Sequence, residues 1–361
     1  MRIKSGNGSG WACPGYSVDD GIKAEVEASG AGIEGLSGRV DRYAEAHRRA
    51  VLMSLHVRSL GAAEGYARAR TGLLQLADKL IRCGDYLLFR VYQRLNTVRL
   101  HAAEFCHVHH LCPFCAIRRG AKLLRLYLLR FEVLTLRHPE SRGYFVTVTV
   151  KDGADLVERF SHLRRNVQRL TARRHSNERG AAGSVMCSVL GGVGAYEFKR
   201  GSGSGLWHPH FHGVFLSENP VDQVALAAEW HALTGDSFVV DVRELYGESA
   251  VLGFLECFKY AVKFSDLPLD DNFAAYRVLK RARLVTSFGC FRGIDVSGLD
   301  DDPVPEDEPY IELFYRYRHG AGYSFDAARS SQVAQDRAGS ISTGTQGGRP
   351  PITPKSGHAQ A

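Results

Sequence analysis

The segment Trp207-His-Pro-His-Phe-His-Gly-Val-Phe-Leu216 places histidine at every second position, at 208, 210 and 212. A repeat of two belongs to a β-strand, so the three imidazoles share one face and Phe211 and Phe215 share the other. Three imidazoles on one face are awkward to bury unless they bind something. Two histidines with one carboxylate are a recurrent divalent-metal set that leaves positions open for substrate. Pro209 lacks a ladder N–H, which confines it to an edge strand or to the strand's beginning. The candidate carboxylate is Glu197, near the end of the preceding strand, which would come opposite His208 to His210 across a flexible Gly-Ser-Gly-Ser-Gly hairpin at 201–205. A surface histidine cluster with a bystander glutamate is the alternative.

The neighbouring segments predict a sheet for this strand to join. Tyr144–Val150 alternates and is β-branched and aromatic. Asp155–His175 is an amphipathic basic helix with Asp155 as its cap and Glu158 three residues on. Ser188–Phe198 is a second strand, interrupted by Gly191, Gly192 and Gly194. After the histidine strand come a helix over Val221–Leu233, a strand over Phe238–Val242 and a helix over Ala250–Phe264. This is a split βαβ order, which predicts an α+β fold: an antiparallel sheet with helices on one face. Upstream, Asp41–Ser59 and Ala62–Arg82 read as helices with Gly61 between them, and Arg118–Leu136 as another. Leu87–Leu100 is apolar and basic without a clear period. Downstream, Phe273–Arg283 looks helical and Tyr310–Tyr317 reads as a strand.

The helix expected at 250–264 carries Glu256, Tyr260 and Lys263 on one stripe by i, i+4 and i+3 spacing. A tyrosine hydroxyl is a poor nucleophile because its pKa is near 10. A nearby Lys263 ammonium would favour the phenolate, and Glu256 could take a proton from an attacking hydroxyl or water. These residue types are common on helix surfaces; their weight comes from following the histidine strand by one helix and one strand. Together the two segments suggest an enzyme that cuts a phosphodiester and holds one end covalently.

Cys106-x5-Cys112-Pro-Phe-Cys115 reads as a structural zinc knuckle, with His101, His107, His109, His110 or Cys83 as the open fourth ligand. A redox CxxC is the rival, without a strand leading into it in the needed way. Cys13, Cys187, Cys257 and Cys290 look isolated, with Cys187 and Cys257 as small core residues. Eight cysteines in a chain of 361 residues with a non-apolar Met1–Gly10 segment fit a cytoplasmic protein better than a disulfide framework. No stretch reaches the ~18 apolar residues of a membrane helix. Lys and Arg exceed Asp and Glu by 46 − 39 = 7, and residues 118–174 hold 14 basic against 5 acidic side chains, 12 of the 14 being Arg. That favours a polyanion partner, and arginine suits bidentate phosphate contacts; an ordinary solvated helix surface is the other account.

In combination these motifs resemble the rolling-circle plasmid replication initiators of the HUH endonuclease superfamily, in the branch with a single catalytic tyrosine. Phe145–Val150 resembles the first motif of that family. Trp207–Leu216 resembles its metal motif, with His210 and His212 as the histidine pair, and 259–266 resembles its tyrosine motif. Glu197 lies where the family places a third metal ligand, and Glu256 where one branch keeps a carboxylate for termination. Cys106–Arg119 and Val285–Arg292 resemble flanking segments, with His110 where an arginine is expected. The resemblance covers roughly residues 80 to 295.

The resemblance implies a ferredoxin-like HUH domain over 120–295. Before it would lie an unstructured 1–39, a helical and candidate DNA-binding region over 40–105, and a zinc knuckle over 106–119. After it would come an acidic loop and terminal element over 296–326 and an unstructured tail over 327–361. The resemblance also implies Mg2+ or Mn2+ on His210, His212 and Glu197. Tyr260 would attack the origin strand to give a 5′-phosphotyrosine and a 3′ hydroxyl for host polymerase. Lys263 would stabilise charge, Glu256 would act at termination, and His208 would support. Plasmid origin DNA is the implied partner, with host polymerase and helicase and no membrane. A transposase or relaxase of the same superfamily, a non-enzymatic zinc-dependent DNA-binding regulator and a His2Glu zinc hydrolase are the rival readings. Origin choice is expected to reside in the N-terminal helices and knuckle.

Overall fold

The computed structural model describes residues 35–176, 183–260, 267–293 and 308–331. Helices α1 (Leu36–Ala63) and α2 (Ala67–Arg82) form an antiparallel pair, followed by the hairpin β1 (Tyr86–Tyr92) and β2 (Thr97–Ala103) and the long α3 (Pro113–Arg137). Then come β3 (Arg142–Thr149), α4 (Leu156–Ala172), β4 (Val189–Arg200), β5 (Trp207–Ser217), α5 (Gln223–Thr234), β6 (Val240–Leu245) and α6 (Glu248–Tyr260). Helix α7 (Leu269–Leu279), β7 (Val285–Gly289) and the hairpin β8 (Ile311–Arg318) and β9 (Gly322–Ser330) close the described chain. Of the N-terminal tract expected to be unstructured over 1–39, residues up to 34 lie outside the described residues, while Leu36 to Arg39 open α1; the acidic part of the 296–326 segment up to 307 and the tail from 332 also lie outside them.

The larger sheet has the order β6-β3-β5-β4-β7, antiparallel throughout. Its first four strands follow the split βαβ pattern, with β7 added at one edge, so the α+β class holds. Helices α4 and α5, expected on one face, cover it with Phe160, Leu163, Leu226 and Trp230; Trp230 Nε1 donates to Thr149 O at 2.6 Å. The other face is covered as well, by α6 and behind it α3, through Phe254, Cys257 and Phe258. Asp155 and Asp222 cap α4 and α5 by accepting from backbone N–H groups, each worth about 1 kcal/mol.

β4 was expected to be interrupted at its glycines; it runs for 12 residues, with one register shift against β5 between Val189 and Gly191 and none at Gly192 or Gly194. The missing side chains are the reason. A Cβ on Gly192 would meet Phe215 at 2.7 Å and Phe288 at 2.9 Å, and one on Gly194 would run into the Phe211 ring. Aromatic rings from β5 and β7 lie across the strand in the space that the glycines leave. Pro209 is likewise placed by geometry. β5 is a central strand, but its ladder to β3 ends at the Thr149–His210 pair, so Pro209 sits at the strand's beginning.

The second sheet, β2-β1-β8-β9, brings residues near 90 beside residues near 315. It packs one face on α1: Leu87, Phe89 and Val98 are buried, and Arg39 donates to Val98 O at 2.7 Å. Two boundaries differ from expectation. α1 passes through Gly61 because this buried glycine lets α2 approach, with Leu73 Cβ 3.2 Å from where a Cβ would stand. β9 runs to Ser330, several residues into the segment expected to be unstructured. The region over 40–105, expected to be helical, also contains the β1–β2 hairpin, so deleting it would open this sheet as well as remove helices.

Gly194→Val tests the ring-over-glycine packing. It is expected to lower unfolding stability by about 1–3 kcal/mol or more in urea denaturation; an unchanged midpoint would contradict the account.

Candidate metal and nucleophile site

Alternation along β4 and β5 puts Glu197, His210 and His212 on the face covered by α6. The register pairs Glu197 directly with His210 and Ala195 with His212. All three side chains are buried, and their donor atoms lie within 4.8 Å of one another. Both imidazoles direct Nε2 at Glu197 Oε2, His212 at 3.0 Å and His210 in closer contact. The other ring nitrogens are occupied. His210 Nδ1–H donates to His208 O at 3.3 Å, and His212 Nδ1 bonds Thr147 Oγ1 at 2.9 Å. Such outer partners fix tautomer and ring direction, leaving the Nε2 atoms aimed inward. Phe145 stacks on the His212 ring, its centroid 5.6 Å away.

The electrostatics suit a cation. Burial raises the Glu197 carboxyl, but hydrogen bonds from His210 and His212 outweigh this and bring it down to about 2. Burial lowers His210 despite the Glu197 carboxylate. A carboxylate held anionic beside two imidazole nitrogens suits a cation. The donor set fits one, with three protein ligands and positions left open. His208 stands apart: it is partly exposed and paired with Asp152, not aimed at the cluster.

α6 lies on this face. Cys257 Sγ donates to His212 O at 3.4 Å, and Gly253, one turn earlier, approaches Leu245 at the far end of β6. The helix therefore runs along the sheet toward the Glu197–His210 pair. Tyr260, its last residue, follows Cys257 by about 4.5 Å of helical rise. Glu256, half-buried, precedes Tyr260 by one turn, and Lys263 lies outside the described residues.

The cysteines form a second donor set. Of the five candidates for a fourth ligand, the structure brings in Cys83, at the C-cap of α2. Cys83 Sγ lies 3.5 Å from Cys115 and 3.4 Å from Cys112, and Cys106 lies 3.6 Å from Cys115. These are too long for disulfides and near the ~3.8 Å edge of a tetrahedron with metal–sulfur bonds of about 2.3 Å. His107 takes a left-handed backbone (φ 59) and the Val108 N–H points at Cys106 Sγ at 3.5 Å, so the loop folds back on its own sulfur. Cys112 caps α3 with Pro113 at the first turn, where the helix dipole favours thiolate charge. Hydrogen bonds from Cys106, Cys112 and Cys83 hold the Cys115 thiol far below its ordinary range, while burial pushes Cys112 up. Four clustered thiolates would need a cation.

Sequence reasoning did not single out Thr147, whose alternation with Phe145 in β3 carried the only signal, nor Asp152. The basic stretch over 118–174 is partly structural: Arg159 pairs with Asp236 and Arg173 with Glu229.

A family model described as replication protein matches residues 97–310. The chain belongs to that replication protein family. Among curated relatives, a "Protein rep" from Bacillus sp is 27% identical over 249 residues, covering 56% of this chain and 76% of the relative. Another "Protein rep", from Bacillus amyloliquefaciens, is 27% identical over 259 residues, covering 62% of this chain and 71% of the relative. No solved structure matches. The matched span of this replication protein holds both donor sets except Cys83, and it holds Glu256 and Tyr260. No helix among the described residues is long and apolar enough to cross a membrane.

Two substitutions test the sites. Thr147→Val should weaken metal binding at Glu197, His210 and His212 about tenfold to a hundredfold in a calorimetric titration; unchanged affinity would show that His212 needs no such support. Cys83→Ser should remove one bound metal per chain in elemental analysis and destabilise the fold by several kcal/mol, given the ~10 kcal/mol or more of a structural site. Full metal content in the variant would return the fourth position to a histidine.

Proposed function

We propose that this replication protein is a cytoplasmic plasmid replication initiator of the HUH endonuclease type, which nicks one strand of its origin and stays joined to it. The observation that carries the reading is the convergence of Glu197, His210 and His212 at the end of the sheet toward which α6 runs, with Tyr260 as that helix's last residue. The Tyr260 phenol oxygen would attack the scissile phosphorus. The bond from phosphorus to the 3′ oxygen breaks, the 5′ phosphate stays on Tyr260, and the 3′ oxygen takes up a proton to become the primer for host polymerase. A divalent ion, Mg2+ or Mn2+, held by His210, His212 and Glu197 would draw charge from the scissile phosphate. Lys263 would favour the phenolate and neutralise phosphate charge. At termination Glu256 would take a proton from a water that cuts the regenerated site. The four cysteines would hold Zn2+ as structure, since four protein ligands leave no open position. Plasmid origin DNA is the partner, and a host helicase would separate the strands.

The test is nicking of supercoiled plasmid carrying the matching origin, with Mn2+ or with chelator. Wild type should give open circles and an adduct that survives denaturation, and Tyr260→Phe should lose nicking by about a hundredfold or more with no adduct. Equal nicking by Tyr260→Phe would point to metal-activated water. Tight origin binding without nicking would point to a regulator.

A further inference from the structure

The second sheet has an outward face that the proposed chemistry does not use. Its inward residues, Leu87, Phe89 and Val91, are buried against α1, so Tyr86, Leu88 and Arg90 point away from the core. Cross-strand pairing sets Leu88 opposite Phe314, Arg90 opposite Glu312 and Arg99, and Glu312 opposite Arg329. On this face rings and guanidinium groups alternate. Tyr86 and Phe314 are stacked at 5.5 Å between centroids with an interplanar angle of 22°, and the Arg316 guanidinium lies 5.6 Å from the Phe314 ring. Arg90 lies 4.1 Å over the Tyr310 ring, which meets Tyr92 edge-on at 5.8 Å. Tyr86, Tyr310 and Phe314 are partly exposed and Arg316 and Arg318 exposed. β1, β8 and β9 lie outside residues 97–310, which the family model matches.

We propose that this face is a binding platform for single-stranded nucleic acid, separate from the nick site. The charge balance selects a polyanion: Arg90, Arg99, Arg316, Arg318 and Arg329 face Glu312 and Asp326, which pair with Arg90 and with Arg316 and Arg318. The rings select exposed bases. An open antiparallel sheet offering aromatic side chains between arginines stacks unpaired bases and lets cations track the backbone. A duplex hides its base faces and would use only the charges. A protein partner would not need arginine beside each ring. The role would be to hold strand exposed near the origin, and it does not depend on the covalent step at Tyr260.

The experiment is fluorescence anisotropy of the full chain with a labelled oligothymidylate of about 20 nucleotides, free of origin sequence, and with a duplex of equal length. Tyr86→Ala/Phe314→Ala should weaken oligothymidylate binding about tenfold or more while changing duplex affinity less than about threefold, and Tyr86→Phe should bind as wild type. Thermal melting checks the fold. If the double variant fails to fold, Arg316→Glu/Arg318→Glu at exposed positions decides, with weakened binding and a smaller salt dependence expected. The proposal is overturned if a folded double variant binds like wild type, if both nucleic acids lose affinity equally, or if charge reversal changes nothing. Any of these with normal plasmid nicking would sink the platform and leave the proposed function standing.

Discussion

The register between β4 and β5 is the constraint on which the rest of the site depends. Glu197 stands opposite His210 because the hairpin closes with Gly201 N–H on Leu206 O at 2.9 Å and Gly205 in the left-handed region. A slip of one residue would turn Glu197 to the opposite face and fill the metal position with Phe198. Packing forbids the slip. Phe211 and Phe215 lie across Gly194, Gly213 and Gly192, where a Cβ would meet their rings. On the other face Cys257 anchors α6 to the carbonyl of His212 itself, so the strand that carries two of the candidate ligands also anchors the helix ending in Tyr260. Shape on one face thus fixes chemistry on the other.

The cysteine cluster bears on this arrangement through α3. Its sulfurs gather the end of α2, the loop before α3 and the first turn of α3, and His47 on α1 bonds Cys83 O at 2.8 Å. α3 then runs under α6, stacking Tyr127 on Phe258 and meeting Phe254 with Phe131. One apolar core joins α1, the second sheet, α3 and α6. The helix with Tyr260 is therefore backed by an element whose start is gathered by four thiol groups, Cys83 and Cys112 among them buried.

The candidate donor set was legible where it was written in short-range periods. Alternation fixed which histidines share a face, and helical spacing fixed the relation of Glu256 to Tyr260. The α+β order followed from element types alone. What escaped depended on distant pairing. Nothing near Leu87 signals a partner at Tyr315, more than 200 residues away, so the second sheet was invisible and with it its aromatic face. Cys83 stood 23 residues before Cys106, one of five candidates that spacing alone could not rank. The glycines of β4 were read as interruptions because their role lies in rings supplied by other strands. Thr147 looked like one more β-branched residue, and only the fold shows its hydroxyl on His212.

The proposed chemistry turns on Tyr260, the last residue of α6. The most direct measurement is tandem mass spectrometry of the denaturation-stable adduct, after nuclease trimming and proteolysis of protein incubated with origin DNA and Mn2+. The account predicts a nucleotide remnant joined through its 5′ phosphate to Tyr260. A remnant on another residue, or nicked plasmid with no adduct at all, would contradict it.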